Sequence, residues 1–243
     1  MMTSIEPIEY AGPGGPFRGM MVRGDDPDEG VLRPGVLIAP TFMGASPLEV
    51  EKARGLVALG YTVLVADPYG GGKVAADRDE AGALMSELMA DRRVVQGRMV
   101  AALDALRGIA GVDGNRLAAI GYCMGGKCVL DLARAGADLR AVVSLHGVFD
   151  PPPFPTLAIT ARVLLCQGWN DPLTPHKDKL AIGDELTAAG ADWMMLALGA
   201  AGHGFTNPAL GDGGDPKAGM AYNPAADRRS WGAMTAWLAE AFA

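Results

Sequence analysis

The sequence lacks the features that mark secreted, membrane-spanning and disulfide-linked proteins. No apolar run approaches the roughly 20 residues that cross a bilayer, and the opening stretch, MMTSIEPIEYAGPGG, has no basic start followed by an apolar core. Only three cysteines occur, an odd number that fits a reducing compartment better than a disulfide framework. We therefore expect a cytoplasmic protein with at least one free thiol.

An excess of basic residues is also missing, since the formal net charge is -7. Nucleic acid and anionic membrane surfaces both call for basic patches, so neither partner is expected and a small-molecule substrate fits better. What the chain does have is the composition of a globular protein, 49% hydrophobic and 20% charged. Its length suits one large α/β domain spanning residues 1–243.

The apolar patterns indicate strands and helices in alternation. Short strands at 5–10 and 17–23 flank the turn AGPGGP and predict an N-terminal hairpin, followed by an acidic turn at 25–30. The further strands expected are 35–39, 61–66, 117–120, 141–145, 163–167 and 193–197, and the helices are 48–59, 79–108 (one helix broken near Asp91, or two), one from 125, 177–189 and 228–242. Such alternation predicts a mostly parallel central sheet with helices on both faces.

Residues 116–130, RLAAIGYCMGGKCVL, combine a short buried strand, a glycine-rich turn and the start of a helix. Glycines on both sides of Cys123 let the turn adopt strained backbone angles. This is the pattern of the nucleophile elbow, whose usual form is G-x-S-x-G and in which the next backbone N–H helps to form an oxyanion hole. Because a helix N-terminus favours a thiolate, we interpret Cys123 as a nucleophile.

Two other interpretations of the same stretch stay open. Free cysteines are among the most buried residues, so Cys123 could be a small hydrophobic core residue. The run from Gly121 to Lys127 also matches the phosphate-loop pattern G-x-x-x-x-G-K, although Cys128 stands where a Ser or Thr hydroxyl would hold magnesium. Cys128 and Cys166 fall inside a helix and a strand, and we interpret both as structural.

Side chains that directly follow strands are the natural partners of this thiol, because chemistry in such sheets gathers at the carboxyl edge. Asp171 in GWNDPLTP and His203 in GAAGHGF occupy such positions. Their order, nucleophile then acid then histidine, is that of the elbow hydrolases; a turn residue and a backbone-bonded loop histidine are the alternative roles. His146 also ends a strand but precedes the acid, and Asp150 is the next candidate acid.

The chain resembles the dienelactone hydrolase family through GYCMGG, GWNDP and AGHGF, with further similarity in YTVLVADPYG, ADLRAVVSLHG and RRSW. The resemblance covers nearly all of the chain and implies the α/β-hydrolase fold. It also implies that Cys123 is the nucleophile, His203 the base and Asp171 the residue that orients the base. The backbone N–H groups of Phe42 and Met124 are the implied oxyanion hole.

The sequence departs from this family at two places that concern the substrate. Thr41 stands where the dienelactone enzymes carry a glutamate that holds the resting thiol, so we expect the thiol to be paired with the histidine instead. Thr206 and Asn207 stand where those enzymes place an arginine for the substrate carboxylate. A neutral pair cannot supply bidentate charge recognition, so a substrate carboxylate is not expected to be required unless Lys73 or Arg78 reaches it.

Together these features predict a hydrolase that cleaves a small ester or lactone through an acyl-cysteine, with no cofactor and no metal. The alternatives are a non-catalytic or small-ligand-binding homologue with the same fold and, less favoured, a phosphate-loop protein. A monomer or a small homo-oligomer is expected. The possible pocket residues are Thr41, His146, Trp169, Phe205 and Asn207.

Overall fold

The computed structural model describes residues 3–24, 30–211 and 219–243, so most of the expected acidic turn, residues 25–29, lies outside the described residues. Within them the strands are β1 (Thr3–Tyr10), β2 (Phe17–Gly24), β3 (Arg33–Ala39), β4 (Thr62–Val65), β5 (Val112–Tyr122), β6 (Ala141–Leu145), β7 (Arg162–Gly168) and β8 (Trp193–Leu198). The helices are α1 (Pro47–Val57), α2 (Arg78–Met89), α3 (Arg92–Arg107), α4 (Met124–Arg134), α5 (His176–Ala188) and α6 (Pro224–Phe242), with a 3-10 turn at Pro208–Leu210.

The eight strands form a mixed sheet in the order β1-β2-β4-β3-β5-β6-β7-β8. β1 and β2 are the expected antiparallel hairpin, and β2 also pairs antiparallel with β4. The β3–β4, β6–β7 and β7–β8 pairs are parallel. This mostly parallel sheet with an N-terminal hairpin confirms the predicted architecture. No helix among the described segments is long and apolar enough to cross a bilayer.

The chain divides into two compact units, and the first is Met1–Ile120. Its core is formed by continuous apolar runs on β3 and β4, in which residues 36–39 and 63–65 are fully buried, as expected for strands covered on both faces. The long helical segment after β4 is two helices, because the Asp91 carboxylate accepts hydrogen bonds from the N–H groups of Arg93 and Val94 and begins α3.

The second unit is Gly121–Ala243, in which α4 packs on β6 and α6 packs on β6, β7 and β8. Cys128 and Cys166 are buried, which agrees with their interpretation as structural residues. The last helix begins at Pro224, four residues before the expected start, because the Asn223 side chain accepts the Ala226 N–H and proline suits the first helical position.

An ion cluster is buried at the end of α4, the helix that begins next to Cys123. The Arg134 guanidinium, whose side chain is only 1% exposed, donates two 2.7 Å hydrogen bonds to the Glu185 carboxylate and one of 3.0 Å to Asp131. A buried charge is tolerated only when it is paired and fully hydrogen-bonded. The cluster therefore ties α4 to α5.

Replacing Arg134 with alanine should lower the free energy of unfolding by about 3–5 kcal/mol, because it leaves a buried carboxylate without this cation. Urea unfolding measures the loss. The matched control is Arg54→Ala, whose pair with Glu51 is exposed on α1 and should contribute less than about 1 kcal/mol. Equal losses in the two variants would contradict a stabilising role specific to the buried cluster.

Candidate active site

The turn between β5 and α4 has the geometry of a nucleophile elbow. Cys123 lies at its apex with φ +55° and ψ -115°, a left-handed conformation that is rare for residues other than glycine. A Cβ atom at Gly121 would clash with the Gly125 carbonyl, so only glycine allows the strand end to approach the helix start this closely. The half-buried thiol thereby stands at the N-terminus of α4.

The structure brings the three predicted residues into one line of hydrogen bonds. His203 Nε2 lies 3.0 Å from Cys123 Sγ, and His203 Nδ1 lies 2.9 Å from Asp171 Oδ2. Asp171 follows β7 and His203 follows β8, so the ends of two adjacent parallel strands supply them. Both side chains are buried. This arrangement can take a proton from the thiol and hold the imidazole in one orientation.

The electrostatic state of His203 depends on its two partners. Burial disfavours the charged ring, but the negative charge on Cys123 and the hydrogen bonds to Asp171 and Cys123 outweigh it and raise the pKa of His203 to about 10. The imidazole therefore keeps its proton at neutral pH.

The Asp171 carboxylate accepts hydrogen bonds from further donors, of which Gln167 was not predicted from the sequence. Gln167, fully buried at the end of β7, donates its side-chain amide N–H to Asp171 Oδ2 at 2.8 Å, and the Leu173 N–H donates to Oδ1 at 2.9 Å. A buried carboxylate is costly unless it is hydrogen-bonded. The available signal for Gln167 was a polar residue in an otherwise apolar strand, four positions before the acid.

The other predicted residues of this unit are placed differently. His146 and Phe205 are buried rather than open to solvent; the His146 ring lies edge-on to the rings of Phe205 and His203, at centroid distances of 5.1 and 5.2 Å. Trp169 is 42% exposed and stacks on His176 at 4.2 Å. The Asn207 side chain accepts a backbone N–H at the start of the 3-10 turn.

Asp150, the alternative acid, bonds to a different residue. Its Oδ2 accepts a 2.7 Å hydrogen bond from the Lys127 ammonium, whereas the carboxylate at His203 belongs to Asp171. The same pairing occupies the lysine that the phosphate-loop interpretation needs. Among the described residues no group of three or more His, Cys, Asp or Glu side chains could hold a metal ion.

In the first unit, the loop after β3 carries an acid that the sequence analysis overlooked. Thr41 occupies the position expected for a glutamate, but the buried Glu49 carboxylate accepts the Thr41 N–H at 2.9 Å through Oε1 and bonds Ser46 through Oε2. The signal was the capping-box spacing S-x-x-E at the start of α1. The Tyr69 hydroxyl donates to the Phe42 carbonyl at 2.7 Å, so this loop is held on both sides.

The two cations considered for a substrate carboxylate lie after β4. Lys73 pairs with Glu80, its Nζ 2.5 Å from the carboxylate. Arg78 is the first residue of α2. Whether either cation recognises a substrate stays a prediction.

Comparison with known proteins shows the family to which the chain belongs. The dienelactone hydrolase family model matches residues 17–242. The crystal structure of P91, a dienelactone hydrolase-like promiscuous phosphotriesterase from metagenomic libraries, is 34% identical with a TM-score of 0.91, covering 100% of both chains. An uncharacterised protein of Caenorhabditis elegans is 35% identical over 150 residues, which are 60% of this chain and 93% of the nematode protein.

A more distant structure supports the fold alone. MGS-M1, an α/β hydrolase enzyme from a Medee basin deep-sea metagenome library, is 20% identical with a TM-score of 0.72, covering 98% of both chains. The fold is therefore that of the α/β hydrolases. With its family match over nearly the whole sequence, the chain belongs to the dienelactone hydrolase family.

Proposed function

We propose that the protein is a cysteine-dependent hydrolase that cleaves a small ester or lactone through an acyl-cysteine intermediate. The observation that carries the proposal is the line of contacts from Cys123 Sγ through the His203 ring to Asp171, at the apex of a nucleophile elbow. Membership of the dienelactone hydrolase family supports hydrolase chemistry. The substrate class follows from the same resemblance.

In the proposed reaction, Cys123 Sγ attacks the carbonyl carbon of the substrate and forms a C–S bond. The backbone N–H groups of Met124 and Phe42 are proposed to stabilise the oxyanion. Collapse of the tetrahedral intermediate breaks the C–O bond, and His203 gives its proton to the leaving alkoxide. Water then attacks the thioester with His203 as base, releasing the acid and restoring the thiolate–imidazolium pair, while Asp171 keeps the imidazole oriented.

The resting enzyme is proposed to hold this ion pair before substrate arrives. The raised pKa of His203 supports a protonated ring, and the position of Cys123 at a helix N-terminus favours the thiolate. Thr41 offers no carboxylate at the position where the related enzymes carry the glutamate. The thiol would therefore be reactive without activation by the substrate.

The proposal also includes the domain organisation and the cellular location of the protein. A single α/β-hydrolase domain over residues 1–243 is supported by the extent of the family match. A cytoplasmic location is supported by three free cysteines, which fit a reducing compartment. The oligomeric state stays a prediction.

A neutral phosphotriester is a second candidate substrate class. It is favoured by the 34% identity and the full-length likeness to P91, a promiscuous phosphotriesterase. In that reaction the thiolate would attack phosphorus, a P–S bond would form as the aryloxide leaves, and water would then cleave the P–S bond. A binding protein without turnover remains the competing class, because fold alone does not establish activity.

Replacing Cys123 with alanine should abolish hydrolysis of a short aryl ester. His203→Ala and Asp171→Asn should each lower kcat by about 10³-fold or more. The loss in the double variant should be smaller than the product of the two single losses, because these groups act as a unit. Asp150→Asn is the control and should keep kcat within about threefold. Near-normal kcat in Asp171→Asn, with a loss in Asp150→Asn, would reassign the orienting acid.

The resting ion pair predicts an unusual pH dependence. Alkylation of Cys123 by iodoacetamide should stay fast well below the usual thiol pKa of about 8.5, and His203→Ala should move the profile to higher pH. Ester turnover should fall above about pH 10, where His203 loses the proton that the leaving alkoxide needs, while alkylation continues. Stopped-flow alkylation, with the alkylated residue identified by mass spectrometry, measures the first pH dependence, and the pH profile of ester turnover measures the second. An alkylation rate with a midpoint near pH 8.5 that is unchanged in His203→Ala would refute the thiolate–imidazolium pair.

A substrate panel tests recognition of charge. A lactone acid, its neutral methyl ester and a neutral aryl phosphotriester should be compared on wild type and Cys123→Ala. We expect the methyl ester to be cleaved with kcat/KM at least equal to that of the acid, because Thr206 and Asn207 carry no charge. A strong preference for the acid that disappears in Lys73→Ala or Arg78→Ala would instead show that a displaced cation reads the carboxylate. Phosphotriester turnover should depend on Cys123.

A further inference from the structure

Two residues other than glycine have left-handed backbone angles among those that the structure describes, Cys123 with φ +55° and His146 with φ +40°. Residues with a Cβ atom rarely adopt such backbone angles unless the surrounding structure holds them there. Residues with these angles cluster at functional sites. The two residues are hydrogen-bonded to each other. The proposed reaction uses the first and leaves the second without a role.

The hydrogen bond between them determines the tautomer of His146. The Cys123 N–H lies 3.1 Å from His146 Nδ1 and is shared with the Leu145 carbonyl, also at 3.1 Å. A backbone N–H can only donate, so Nδ1 must accept and the ring must be neutral on that side. In the neutral ring the proton then resides on Nε2.

The other nitrogen of the ring reaches the segment that carries the base. His146 Nε2 lies 2.9 Å from Thr206 Oγ1, and both side chains are 1% exposed. Thr206 is three residues after His203. The buried imidazole of His146 therefore links the apex of the elbow, through two hydrogen bonds, to the segment after β8 that carries His203. This link is additional to the direct contact between Cys123 Sγ and His203 Nε2.

We propose that His146 is a positioning residue that couples the nucleophile elbow to the segment of the base and so sets the separation of Cys123 Sγ from His203 Nε2. The inference rests on the proposed role of Cys123 and goes beyond it, because the residue that sets the distance is not one of the reacting groups. The hydrogen bond from Cys123 to His146 comes from the backbone N–H of the nucleophile. Thr206 completes the link by accepting the hydrogen bond from Nε2.

The charge of the neighbours also requires a neutral His146. The His203 ring, proposed to be an imidazolium at rest, lies 5.2 Å away between centroids, so a second cation on His146 would be repelled. Protonation of Nδ1 would also remove the acceptor of the Cys123 N–H. The Nε2–H tautomer bonded to Thr206 satisfies both conditions at once.

Thr206→Val is the sharpest test, because valine keeps the shape of threonine and removes only the hydroxyl. The iodoacetamide alkylation rate of Cys123 and kcat for a short aryl ester should both fall about 10- to 100-fold, with KM changed less than about threefold, since small misplacements of reacting groups cost this much. Thr206→Ser should restore both rates. His146→Asn tolerates positive φ, and its amide oxygen can replace Nδ1, but the side chain is too short to replace Nε2; it should therefore lose as much of both rates as Thr206→Val.

Thr174→Val is the matched control. Thr174 is also fully buried, and its hydroxyl donates to a backbone carbonyl, that of Gly147, at 3.1 Å. It should lower the melting temperature as Thr206→Val does while leaving both rates within about threefold. Equal rate losses in the two valine variants, or none in either, would overturn the proposal.

A spectroscopic readout separates this proposal from the proposed hydrolase activity. Nitrogen-15 NMR of the imidazoles should show His146 as the neutral Nε2–H tautomer, shifting in Thr206→Val and unchanged in Thr174→Val. Alkylation needs no ester turnover, so an enzyme without esterase activity can still show the coupling. A protonated His146, or an Nδ1–H tautomer at neutral pH, would rule it out.

Discussion

Close backbone packing around the elbow is the constraint on which the rest of the site depends. A Cβ atom at Gly121 would clash with Gly125, and one at Gly126 would lie 2.8 Å from the Gly147 Cα. Because no side chain separates these segments, the apex of the turn reaches hydrogen-bonding distance of the end of β6. Larger residues would push the apex away from both histidines, so these glycines set the geometry of the proposed reacting groups.

The buried charges of the molecule are stabilised by donors from several elements. Asp171 receives hydrogen bonds from the end of β7, from the following loop and from His203. Glu49 holds the loop after β3 and also caps α1. A buried carboxylate is costly unless donors compensate for its lost hydration. Because several of these donors are backbone N–H groups, each carboxylate also holds the surrounding backbone in place. In each unit, local order thus arises from satisfied polar groups as much as from apolar packing.

Local signals made the strands, the elbow and the three residues of the hydrogen-bonded line predictable. Buried strands appear as apolar runs, and the turn needs its glycines in adjacent positions. The links through Gln167, Glu49 and Thr206 were not predictable in the same way, because they depend on which side chains meet in space. His146 and Thr206 are 60 positions apart, and no sequence period relates them. The early start of α6 was missed since Asn223 was not recognised as its cap.

The burial of two of the three cysteines has a consequence for damage by peroxides. A thiolate is the form that oxidises, first to a sulfenic acid that a neighbouring thiol can convert to a disulfide. Cys128 and Cys166 are enclosed in the core, and burial raises the pKa of Cys166 to about 12, so it stays a protonated, unreactive thiol. Neither is suited to act as a resolving partner. Repair of oxidised Cys123 would therefore rely on a thiol from outside the chain, such as a small-molecule reductant that enters as the substrate does.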